Sequence, residues 1–173
     1  VAVGKKLVML GESGVGKTSL VRRYVLGQFS DEYQTTLGVN IYKHDDEVEG
    51  RDGRPVSFKH LLWDVEGGLQ RQALLDSYIR GASGAIVVGD ISQGDPLRPM
   101  RENAERFRGA RPGRPVVFAV NKVDLVAGQP QLEGAKELAD EFQGVLVYTS
   151  AATGEEVPLL FRTLAHRILL VDG

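Results

Sequence analysis

Gly11-Glu12-Ser13-Gly14-Val15-Gly16-Lys17-Thr18 follows the apolar run Leu7 to Leu10 and opens a helical pattern over 17–26 that Gly27 closes. The spacing G-x-x-x-x-G-K-[ST] between a strand and a helix is that of a phosphate-cradling loop. Its glycines let successive backbone N–H groups wrap closely around a phosphate chain, and the positive end of the helix faces the anion. Lys17 supplies a mobile cation to the β- and γ-phosphates, and the Thr18 hydroxyl is placed for Mg²⁺. Residues Ser13, Gly14, Val15, Gly16, Lys17, Thr18 and Ser19 are the expected phosphate contacts. Kinases, ATPases and GTPases all use such a cradle, so it points to the fold class before it names the nucleotide.

Outward from this loop, short β-rich runs alternate with longer helical patterns, the sequence form of βαβ units and a mainly parallel sheet. Ala85 to Val88, Val116 to Val120 and Val145 to Tyr148 are continuous apolar segments, as strands buried on both faces require. Helices are expected over 96–107, over 131–142 with Gly144 as the stop, and at the C-terminal end. In the last, Val157, Leu160, Phe161, Leu164 and Ile168 form one apolar stripe, with Pro158 in the first turn. One stretch breaks the alternation. Residues 38–48 and 55–63 both read as extended around Gly50-Arg51-Asp52-Gly53, an antiparallel hairpin at one sheet edge.

The composition agrees with one nucleotide-binding domain spanning residues 1–173. Hydrophobic residues are 42%, charged residues 25% and the formal charge is −2, which suits a soluble globular protein and argues against a nucleic-acid partner. No cysteine is present, which excludes disulfides, thiolate zinc sites, a cysteine nucleophile and sulfur-linked lipid within these residues. The longest apolar run has five residues, Val116 to Val120, far below the roughly 20 of a membrane-spanning helix. The chain opens at Val1 with neither a basic nor a long apolar leader, so a secretory signal is not expected and a cytoplasmic location is.

Asn121-Lys122-Val123-Asp124 directly follows the strand 116–120, at the carboxyl end where open α/β sheets place ligands. An aspartate there can accept hydrogen bonds from the ring N–H and exocyclic amine of guanine, a donor pair adenine lacks; the same four residues also suit a polar turn with a capping Asp. With both motifs at this spacing the chain resembles the small GTPases of the Ras superfamily, nearest in character to the Rab branch. Residues 29–39 resemble the first switch, Leu62-Trp63-Asp64 the strand entering the second, and Thr149-Ser150-Ala151 the second base loop. The resemblance implies a three-layer αβα fold with a six-stranded, mostly parallel sheet, one antiparallel edge hairpin and about five helices. It also implies that Phe29 packs edge-on against guanine, that Thr36 coordinates Mg²⁺ when the γ-phosphate is present, and that Asp64 holds Mg²⁺ through water. Gly67 would offer its N–H to the γ-phosphate, Asn121, Lys122 and Asp124 would frame the base, and Ser150, Ala151 and Ala152 would close it off. The implied catalytic set is Lys17, Thr36 and Gly67, and the implied partners are GTP or GDP with Mg²⁺ and effector and regulator proteins that read the switch segments at about 29–39 and 64–78.

The second switch departs from the family's Asp-Thr-Ala-Gly-Gln-Glu, reading Asp64-Val65-Glu66-Gly67-Gly68-Leu69. Gly68 occupies the position of the water-orienting glutamine and has no side chain; orienting groups of this kind contribute on the order of 10²–10⁴ in rate, so slow intrinsic hydrolysis is expected. Glu66 replaces a small residue beside the γ-phosphate position and has three readings: repulsion that favours GDP, an outward surface residue, or a substitute catalytic group. Gln70 and Gln72 read as polar surface or as further substitutes. Ala152 stands where the family commonly has lysine, which implies weaker stacking on the base.

The remaining signals have plain readings. The acidic run Asp45, Asp46, Glu47 and Glu49 reads as a solvated hairpin end, the arginines between 98 and 114 as a solvated helix face, and His44, His60 and His166 as residues without metal-ligand spacing. Three functional readings follow: a slow GTP/GDP switch, a guanine-nucleotide-binding adaptor locked in one state, or the GTPase domain of a larger protein. No lipid anchor lies in these residues, so membrane recruitment would come through partners or through residues beyond them.

Overall fold

A computed structural model describes residues 3–25, 32–34, 39–65 and 72–173. Within these residues seven strands form one sheet: β1 Val3–Leu10, β2 Glu32–Gln34, β3 Val39–Glu49, β4 Pro55–Val65, β5 Gly84–Asp90, β6 Val116–Asn121 and β7 Val145–Tyr148, in the order β2-β3-β4-β1-β5-β6-β7. The six strands that the resemblance implied are all present, and the three-residue β2 adds a short antiparallel ribbon along β3. Strands β4, β1, β5, β6 and β7 run parallel, and β3 pairs antiparallel with β4 in an unbroken register from Val39↔Val65 to Glu49↔Pro55. Gly50 N–H donates to Arg54 O at 2.8 Å to close the hairpin turn.

Among the described residues five α-helices flank the sheet: α1 Lys17–Val25, α2 Gln72–Ile79, α3 Leu97–Ala110, α4 Ala135–Glu141 and α5 Val157–Asp172. One apolar layer lies beneath α1 and α5, and a second lies beneath α2, α3 and α4. Both layers press on β5 and β6, which are buried at every position, and this explains their unbroken apolar runs. The α5 stripe of Val157, Leu160, Phe161, Leu164 and Ile168 is at most 1% exposed. Each of these side chains contributes about 1.5–3 kcal/mol by leaving water.

Helix boundaries shift from the sequence pattern, and α3 runs on to Ala110, three residues past 107. Pro96 caps α3 rather than beginning it, and α4 starts at Ala135, four residues later than the apolar spacing suggested, because Gly134 at φ 87° interrupts the helical path. The acidic hairpin residues are not uniformly solvated. Asp46 accepts hydrogen bonds from Tyr24 Oη (2.7 Å) and from Arg162 Nε (2.7 Å), which ties β3 to α1 and α5. Burial alone would raise the Asp46 pKa, but the Arg162 and Tyr24 hydrogen bonds outweigh it and hold the carboxyl below its usual value. Among the α3-side arginines, Arg98 pairs with Glu102, Arg101 with Glu141 and Arg114 with Asp172.

Candidate functional site

The carboxyl ends of five adjacent parallel strands converge at one end of the sheet. They deliver Gly11 after β1, Asp64 in β4, Asp90 closing β5, Asn121 closing β6 and Thr149-Ser150 after β7. The loop from β1 to α1 turns through Gly14 and Gly16 at φ 84° and 103°, left-handed conformations that side chains disfavour. Lys17, buried in the first turn of α1, folds back over this loop, its Nζ 2.6 Å from Gly11 O and 3.1 Å from Glu12 O. Burial lowers the Lys17 pKa, and the nearby Asp64 and Glu12 carboxylates oppose that shift. Beside it, Thr18 Oγ1 donates to Asp64 Oδ2 at 2.5 Å, bringing a hydroxyl and a fully buried carboxylate together. Gly14, Gly16, Lys17, Thr18, Ser19, Val65 and Lys122 line a cleft of about 250 Å³.

The second half of the site is knotted to the first. Asn121, 1% exposed, donates from Nδ2 to Val15 O (2.9 Å) and accepts at Oδ1 from Thr149 Oγ1 (3.0 Å) and Ala151 N–H (3.3 Å). A side chain at Gly16 would collide with this amide, so that glycine is required by the knot as well as by its backbone angle. Lys122, itself left-handed at φ 68°, donates from Nζ to Gly14 O (2.7 Å) and pairs with Asp90 (3.0 Å). Asp124 accepts at Oδ1 from Ser150 Oγ (2.7 Å), which links the loop after β6 to the loop after β7. Ala152 lies exposed in the turn that follows.

Residues 6–170 match the sequence model of the Ras family. The chain belongs to that family. Among curated proteins it is similar to the GTP-binding protein ypt5 of Schizosaccharomyces pombe, 34% identical over 175 residues that cover 99% of this chain and 81% of the relative. It is therefore a Rab-like small GTPase.

In this GTPase the loop after β1 and the loops after β6 and β7 share one hydrogen-bonded frame, which the sequence presents only as separate motifs. Asp90 is a member of this frame that no motif marks. It is 2% exposed and accepts from Ser92 N–H (2.8 Å) and Ser92 Oγ (2.6 Å) as well as from Lys122. Burial pushes its pKa up, but the Ser92 and Lys122 hydrogen bonds prevail and lower it. Its position at the end of a parallel strand was the available signal. Tyr78 of α2 also joins the frame: its hydroxyl accepts from Met9 N–H (3.2 Å) and lies within bonding reach of the Met9 and Trp63 carbonyls. Trp63 itself is half-buried beneath Lys6, whose Nζ lies 3.7 Å from the ring centre.

Ras-family GTPases use Mg²⁺ with their nucleotide. The Thr18 and Asp64 oxygens suit a hard cation that is held by few protein groups together with phosphate and water. Among the described residues no group of three or more His, Asp or Glu is placed to hold a metal ion. Phe29, Thr36, Glu66, Gly67, Gly68 and Gln70 lie outside the described residues, so both switch segments are described only in part. Among the described residues no helix is long and apolar enough to cross a membrane.

Proposed function

We propose that this chain acts as one nucleotide-binding domain that cycles between GTP and GDP, hydrolyses GTP slowly, and presents its switch segments to effector and regulator proteins. The observation that carries the proposal is the Asn121 knot, which supports a phosphate-binding loop and a base-reading loop spaced for one nucleotide. In this reading Ser13 to Ser19 surround the phosphates and Lys17 neutralises their charge. Asp124 accepts from the two guanine donors, while Ser150, Ala151 and Ala152 close over the base and Phe29 packs at its edge. Thr18, Thr36 and Asp64 would hold Mg²⁺, which supplies charge neutralisation to the β- and γ-phosphates when bound. Gly67 would sense the γ-phosphate through its N–H, coupling nucleotide state to switch order.

Slow hydrolysis follows from Gly68, which cannot orient an attacking water. Single-turnover hydrolysis of bound GTP tests this directly. The Gly68→Gln variant is expected to be faster by on the order of a hundredfold. Equal rates, both in the range of small GTPases that carry the glutamine, would refute the argument. Following the bound nucleotide in the unaltered chain separates a switch from a locked adaptor: slow conversion to GDP marks the switch, and GTP that persists unchanged marks the adaptor.

A further inference from the structure

The loop that follows β7 is braced by a residue that belongs to none of the nucleotide motifs. Arg23, in the last turn of α1, donates from Nη2 to Thr153 O at 2.8 Å, across 130 residues of sequence. Its guanidinium lies against Gly154, where an added Cβ would come within 2.8 Å of both Nε and Nη2. Gly154 is also left-handed, at φ 88°, a conformation that disfavours side chains, and a Cβ there would displace the Arg23 guanidinium.

The braced peptide connects directly to the base-reading groups. Thr153 N–H donates to Ser150 Oγ (3.1 Å), Gly154 N–H donates to Ser150 O (2.8 Å), and Ser150 Oγ donates to Asp124 (2.7 Å). The helix that begins with Lys17 and Thr18 therefore ends on the loop that orients Asp124. An arginine suits this place because one planar fork supplies both a hydrogen bond and a flat face, which a lysine ammonium cannot.

We infer that Arg23 is a positioning residue for guanine, holding the base loop at a fixed distance from the phosphate loop and slowing nucleotide release. The inference rests on the guanine-nucleotide reading above. Because Arg23 is exposed, the effect is modest: its loss is expected to speed GDP release by roughly three- to tenfold, the range of a single net hydrogen bond.

The test uses the full chain loaded with a fluorescent GDP analogue and chased with excess GDP. Arg23→Ala should release the analogue three- to tenfold faster and Arg23→Lys should fall between the two. Arg167→Ala, which removes another surface guanidinium–carbonyl bond at Gln143, should match the unaltered chain. Pyrophosphate, which fills only the phosphate loop, should bind Arg23→Ala and the unaltered chain equally. Unchanged GDP release in Arg23→Ala overturns the inference, as does an equal loss of pyrophosphate affinity, which would mean that α1 has loosened as a whole. If the unaltered chain retains no GDP, the nucleotide reading fails first and the inference with it.

Discussion

Replacing Asn121 by Asp exchanges one buried nitrogen for oxygen and probes the knot with almost no change in shape. The Oδ1 bonds from Thr149 and Ala151 can persist, but the 2.9 Å donation to Val15 O becomes an acceptor facing an acceptor. The lost bond costs about 1 kcal/mol, and leaving the buried Val15 carbonyl unpaired beside a carboxylate adds about 1–3 kcal/mol. A total near 3 kcal/mol corresponds to roughly a hundredfold faster release of GDP. Asn121→Ala, which unpairs Val15 O, Thr149 Oγ1 and Ala151 N–H together, should reach a similar figure by a different route. The two variants separate on acidification. A protonated carboxyl can again donate to Val15 O, so the Asn121→Asp defect should ease as pH falls, whereas that of Asn121→Ala should not. The assay is displacement of a fluorescent GDP analogue across a pH series, with thermal melting of each variant alongside. Release within twofold of the unaltered chain in both variants, with unchanged melting, would refute the claim that this side chain holds the two loops together.

Other parts of the molecule yield sharper local expectations. Asp90→Asn removes the buried countercharge of Lys122 and should lower stability by about 1–2 kcal/mol in denaturant titration and speed GDP release, because Lys122 also holds the Gly14 carbonyl. His60, fully buried with its ring Nδ1 3.2 Å from His44 O, is held neutral, chiefly by burial, with its pKa lowered to about 4. The unfolded chain takes up that proton near pH 6.5 and the folded chain does not, so stability should decline as pH falls from about 6.5 towards 4, by up to about 3 kcal/mol. Urea midpoints for the unaltered chain and for His60→Phe check this, the variant losing much of the slope in that window. Thr18→Ala removes the hydroxyl beside Asp64, so Mg²⁺ should slow GDP release far less in the variant than in the unaltered chain, read as the release ratio with and without a chelator.

Much of this architecture was legible because its signals are local. The phosphate loop occupies eight consecutive residues at a strand–helix junction, and the α5 stripe repeats with helical spacing. The hairpin is marked by its own turn, and Gly144 falls where the helix pattern before β7 stops. What escaped the sequence depends on distant partners. Asp46 reads as one acidic residue among several until Arg162, 116 residues away, arrives beside it. His44 and His60 form a buried cross-strand pair only once the hairpin register is set, and Tyr24 then packs against both rings. Asp90 and Arg23 lie outside any motif spacing, yet each touches a loop that a motif identified. The start of α4 was misplaced because apolar periodicity cannot show that Gly134 takes a left-handed conformation.

The central claim is that one rigid frame reads phosphate and guanine together, and titration of the nucleotide-free protein with GDP and with ADP in Mg²⁺ tests it most directly. Asp124, oriented by the Ser150 hydroxyl, should favour GDP by roughly 10²–10⁴, since ADP lacks the two donors that this carboxylate accepts from. Equal affinities for the two nucleotides, or no measurable GDP binding, would contradict the account.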